Sequence, residues 1–157
     1  MESLIEVIQS VWLSLLALIL VVFLGIAADA IGTAAAAANV VPYNAMAAKK
    51  VPGAIEAANL ARNADLVANL TADVVGDISG TLSGAMGASI VFTLATQFSL
   101  TDTVLLGAAM TSIIAAITVG GKTVGKRIAI NHANSIIFRL GRFLRWLDDH
   151  TGIRILK

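Results

Sequence analysis

Asn69, Asp73, Asp77 and Thr81 follow one another four residues apart. On a helix this spacing stacks them one turn apart along one face, with Asn63 extending the row at its amino-terminal end. Carboxylate, amide and hydroxyl oxygens are hard ligands. Such a row suits Mg²⁺, Ca²⁺ or Na⁺, or serves as a proton relay. Asp29, with Thr33 one turn later, is a candidate third carboxylate. The plainer alternative is that Asp73 is solvated at a boundary and Asp77 is protonated or hydrogen-bonded among helices.

Other chemistries find little support. The chain has no cysteine, which removes disulfides, thiolate metal sites and cysteine nucleophiles. Gly120-Gly121-Lys122-Thr123-Val124-Gly125-Lys126 matches the phosphate-loop spacing, yet Arg127 stands where Ser or Thr must hold Mg²⁺, and no strand precedes it. That segment reads better as a glycine-loosened end of a helix, with carbonyls freed to line a cavity. Asn69-Leu70-Thr71 has the glycosylation pattern but lies in or beside an apolar stretch. His132 and His150 are isolated, and no nucleophile has a base beside it, so an enzyme is not expected.

The elements that position the row are those of an all-α integral membrane protein. Hydrophobic residues make up 57% of the 157 and charged residues only 13%, about half of what a soluble domain carries. Three stretches, over about 7–28, 66–94 and 104–121, are long enough to cross a hydrocarbon core of about 30 Å. The second is the most polar. Its carboxylates would cost several kcal/mol each facing lipid, so their face must look at protein or water. A fourth, short span over 128–147 is opposed by its three arginines.

Charge sidedness sets the count. Every Lys and Arg lies between Lys49 and Arg62 or after Gly121, whereas the amino terminus and the Thr96–Thr103 turn carry none. Three spans put all of these cations on one side, the cytoplasm, with the amino terminus outside and the carboxyl terminus inside a cell (inner or plasma) membrane. The stretch 39–64 is too polar to span and is punctuated by Pro42 and Pro52-Gly53. Short juxtamembrane helices are expected there, with Glu56, Asn59, Arg62 and Asn63 opposite Ile55, Ala58 and Leu60.

Over about 128–149 apolar and basic residues alternate at helical spacing. Arg139, Arg142 and Arg145 face anionic headgroups and Trp146 the membrane boundary, which makes an amphipathic interfacial helix. No groove-reading motif accompanies them, so no nucleic-acid partner is expected. In the second span Gly76, Gly80, Gly84 and Ala88 recur every four residues, a stripe on which helices approach closely. The expected assembly is a homodimer, with packing inside one protomer as the alternative. The whole chain, 1–157, reads as one membrane domain.

The order of features resembles the transmembrane domain of the cyclin-M and CorB/CorC magnesium transport family. Ala28-Asp29-Ala30-Ile31-Gly32-Thr33 is similar to the small-residue segment ending the family's first span, Gly76-Asp77 to its Gly-Asn signature, and Gly121 to Lys126 to its G-E-x-x-P-K motif. The resemblance implies three spans, a juxtamembrane belt, a homodimer with an acidic cavity, and Mg²⁺ as the ion. Lys122 replaces the family's acidic residue and Gly125 its proline, and the family's regulatory nucleotide-binding domains have no counterpart in this sequence. The expected function is therefore divalent-cation transport or its homeostasis. The alternative is a non-transporting subunit that docks a protein partner through its glycine stripe and basic tail.

Overall fold

In the computed structural model, the backbone is described over residues 2–98 and 102–151, with side chains over 10–98 and 102–150. Arg154, Lys157 and the middle of the Thr96–Thr103 turn lie outside these residues. Everything described is helix or short turn. Three helices are long and apolar enough to cross a membrane.

The first, α1, runs Glu2–Ala37 and is the centre of the bundle. Asn39 then caps α2 (Val40–Ala48) by accepting a hydrogen bond from the Val41 amide, and Pro42 falls inside the first turn, where a missing amide costs little. A Schellman turn ends α2. Lys50 and Val51 donate to the carbonyls of Ala47 and Met46, and Lys50 sits at φ 58° where glycine is usual. Gly53, at φ 84°, opens α3 (Ala54–Arg62).

The second long helix is composite: α4 (Ala64–Ala68), a π-helical segment (Asn69–Val75) and α5 (Gly76–Phe98). The Gly76 amide reaches back to the Thr71 carbonyl, closing the wider π ring. Asp102 caps α6 (Thr103–Asn131) through the Leu105 amide, and a break at His132 leads into α7 (Ala133–Thr151). α1 packs along α5 and α6, and its carboxyl-terminal end meets α4, the π segment and α7.

Two cores result. Toward the α5–α6 turn, Leu18, Val22 and Ile90 are buried among Leu15, Ile26, Met86, Met110 and Ile114. At the opposite end, here the base, a mostly alanine core joins Ala34, Ala35, Ala57, Ala58, Ala61, Ala129 and Ala133 with Tyr43 and Ile137. Small side chains let the short helices lie close. One crossing is glycine on glycine, where a Cβ on Gly141 would stand 2.5 Å from the Gly53 carbonyl oxygen.

Several expectations need correction. The helix does not loosen at Gly120-Gly121 but continues through both to Asn131. Gly121 is there for contact, since any side chain on it would collide with Ile26 of α1. The amphipathic helix begins at Ala133, because Ile128 and Ile130 belong to α6. In α3, Ala58 and Leu60 are buried as expected, but Ile55 is exposed and Glu56 is half-buried beside Arg145 of α7.

Candidate ion site and the charged layer of the bundle

Gly25, Asp29 and Gly32 recur at helical spacing along the stripe of α1 that faces the second long helix. A Cβ on Gly25 would lie 2.9 Å from that of Ser79, and one on Gly32 would lie 3.0 Å from the Cα of Ala68. The backbones are therefore close on both sides of Asp29. That residue is only 4% exposed. Lys126 of α6 brings its Nζ to 3.5 Å from Oδ1. The other oxygen, Oδ2, is buried without a hydrogen-bond partner, a state that costs about 1–3 kcal/mol or more. Thr33 does not relieve it, because its hydroxyl donates to the Asp29 backbone carbonyl at 2.9 Å.

Lys122, one turn before Lys126, points to α5. Its Nζ would stand 3.3 Å from a Cβ at Gly76, so the ammonium group fills space that any other residue there would occupy. Among the described residues it makes no ion pair. The carboxylate of Asp29 is held by its neighbour instead.

The oxygen row stands elsewhere. Asn69, Asp73, Asp77 and Thr81 are all exposed on the outer side of the π segment and α5. Asp29 faces the interior, so the three expected carboxylates do not converge within one protomer. Among the described residues no group of three His, Asp or Glu side chains is placed to hold a metal.

The small-residue stripe divides in the same way. Gly76 and Gly87 are buried against Lys122 and Ile114 of α6, together with Ser79 and Ser83. The two serine hydroxyls are satisfied by donating to the carbonyls of Val75 and Ser79 at 2.7 and 2.6 Å. A Cβ on Gly80 or Gly84 would meet nothing within 4 Å, and Ala88 is exposed. Asp77, Thr81, Gly80, Gly84 and Ala88 thus form one uncovered flank.

Depth links these groups. At 1.5 Å per residue, Asp29, Asp77 and Lys122 stand roughly 30 Å along their helices from Ser10, Phe98 and Thr103. They form a charged layer between the apolar core and the alanine base.

Arg139, Arg142, Arg145 and Trp146, expected at a membrane interface, are all exposed. Trp146 stacks on Phe143 at 6.1 Å, and Arg142 lies over Phe138 at 5.8 Å. Arg145 is tied to the protein by Glu56 at 3.6 Å and Asp149 at 3.2 Å, so it is less available to headgroups than its two neighbours. A second anchor went unread in the sequence: Asn134 accepts from the Asn39 amide and takes the Tyr43 hydroxyl on its carbonyl, both at 2.9 Å. Burial pushes the Tyr43 phenol above its ordinary pKa.

Lys126 as the partner of Asp29, and Ser79 against Gly25 of α1, were also missed. Their signal was present in the Gly25, Asp29, Gly32 spacing, which marks a close helix contact with a carboxylate in its middle. Compared with protein-family models, curated proteins and solved structures, the chain matches none.

Proposed function

We propose that this chain is a multi-pass membrane protein that handles a divalent cation of the Mg²⁺ type, with the ion held where two copies meet. The observation that carries this reading is that Asp73, Asp77 and Thr81 look outward beside Gly80 and Gly84. A carboxylate at the inner edge of the apolar length, as Asp77 is, is disfavoured against lipid, and bare glycine backbone invites close approach. A second copy laid on this flank relieves the first and uses the second. It also brings acidic groups of two chains together, where their repulsion favours a cation between them.

The membrane is a cell membrane, inner or plasma, with the amino terminus outside. On this reading the basic base, carrying Lys49, Lys50, Arg139, Arg142 and Trp146, lies in the cytoplasm against anionic headgroups. Vesicles containing the purified chain should take up Mg²⁺, and Asp77→Asn should reduce the uptake at least tenfold, with Asp73→Asn weaker. Uptake indifferent to both substitutions removes the site.

A second reading, the docking subunit, is favoured by the lysines. Lys126 neutralises Asp29, and Lys122 adds a positive charge that opposes cation passage. A stoichiometric protein partner retained through purification in mild detergent, with no Mg²⁺ uptake, would support it.

A further inference from the structure

We infer that the pocket between the α2–α3 turn and α7 is a socket for a phosphate–ammonium zwitterion, the headgroup of an ethanolamine lipid, with Lys50 serving the phosphate and Glu56 the ammonium group. The lipid source rests on the reading above that the base lies against headgroups, and it is independent of the cation site.

The pocket has a volume of about 320 Å³, at the small end of the range of about 300–1,000 Å³ that ligands occupy. Lys50, Glu56, Arg145 and Asp149 line it. Two are positive and two negative, so the pocket is dipolar and without net charge.

These four are not equally engaged. Arg145 holds Asp149 through Nε at 3.2 Å, one turn along the same helix. Its contact with Glu56 is looser, 3.6 Å from Nη1 to Oε1, which is beyond hydrogen-bond length. The Glu56 side chain is only 14% exposed, so its carboxylate is withdrawn from water beside a weak partner. Lys50 is exposed and has no ion pair among the described residues. Its backbone stands at φ 58°, a region that glycine enters freely and a side chain strains. Folding alone therefore favours glycine at this corner, and the lysine that stands there instead lines the pocket.

A ligand that suits this arrangement carries both charges. A phosphate alone is repelled by Glu56 and Asp149, and a cation alone by Lys50 and Arg145. A short zwitterion satisfies Lys50 and Glu56 together and leaves Arg145 on Asp149. A primary ammonium group also donates hydrogen bonds to a carboxylate, which a trimethylated one does not. Ethanolamine lipids offer this combination at the depth where the proposed arrangement sets the base, beside the exposed Arg142 and Trp146.

The test reconstitutes the full chain in nanodiscs of phosphatidylglycerol with phosphatidylethanolamine, or with phosphatidylcholine in its place. Both mixtures carry the same surface charge, so the pull of anionic lipid on the exposed arginines is constant. The melting temperature should be higher with phosphatidylethanolamine. After extraction from an equal mixture of the two zwitterionic lipids, native mass spectrometry should find phosphatidylethanolamine retained about tenfold over phosphatidylcholine. Lys50→Gly is the decisive variant. It should melt no lower than the parent with phosphatidylcholine, because glycine suits φ 58°, yet lose the gain that phosphatidylethanolamine gives. Glu56→Gln should remove the preference between the two lipids. A parent that treats both lipids alike, or variants that keep the parent's preference, overturn the inference. Glycerophosphoethanolamine added to the detergent-solubilised chain separates the sources: protection by it, with no effect of the membrane lipid, overturns the headgroup assignment and the placement of the base with it. None of these measurements involves Mg²⁺, so failure here and failure of the cation reading are distinguishable.

Discussion

The two ends of this bundle are packed by different means. Near the α5–α6 turn, Leu18, Val22 and Ile90 mesh with long apolar side chains, whereas the base is assembled mostly from alanines, with Tyr43, Leu60 and Ile137 among them. On the proposed arrangement the first core lies in lipid, where an apolar side chain gains little by leaving hydrocarbon for a protein interior, so shape complementarity carries its packing. The base, on the proposed arrangement, meets water and headgroups, where burying apolar surface also stabilises. Close approach and polar ties then matter most in the base.

Substitutions sharpen or break that contrast. The largest effect is expected from Gly141→Leu, which pushes a side chain into the backbone of Gly53 and Ala57. It should destabilise by about 3 kcal/mol or more, read from thermal unfolding in detergent. The same enlargement at Gly84, where space is open, should leave the protomer's melting unchanged and instead lower the yield of cross-linked dimer.

Next comes Ile137→Ala, which empties a site in the base that is 0% exposed and should cost about 2–4 kcal/mol. Leu18→Ala in the outer core should cost less in bilayers. Equal losses would mean the two cores are held alike.

Tyr43→Phe should cost about 1 kcal/mol by removing the hydroxyl donated to Asn134. It should also change the alkaline limb. The folded state raises the Tyr43 pKa, so above the ordinary value of 10.0 the unfolded chain loses its proton first and stability falls as pH rises through the folded value. The phenylalanine variant should lack that part of the fall. The smallest effect is expected from Arg145→Ala, whose exposed ion pairs to Glu56 and Asp149 should barely move the melting temperature.

Much of this architecture was legible from residue type. The three long helices followed from apolar length, and the short base helices from Pro42 and Pro52-Gly53. The row Asn69, Asp73, Asp77, Thr81 shares an exposed side. What escaped reading was direction. A four-residue repeat advances 40° per step at 100° per residue, so a stripe that starts inward at Gly76 has curled to the outside by Gly84. Sequence alone also could not tell a glycine that loosens a helix from one that admits a neighbour, and Gly121 proved to be the second kind. Nor could it show that Asp29 is served by Lys126, a pairing made by tertiary approach between residues far apart in the chain.

The π-helical ring at Asn69–Val75 acts as a phase shifter in the second long helix. One surplus residue accommodated in a wide turn offsets the two halves by about 100° of screw rotation. Removing a single residue there, Ala72 for instance, would let the segment relax to ordinary pitch while turning every side chain on one side of the cut away from its present bearing. Ser79 could then keep its place against Gly25 only if Ala68 and Thr71 gave up their seat against Gly32. A deletion of one codon would thus do more harm here than most substitutions, and a compensating insertion within the same few residues should rescue it.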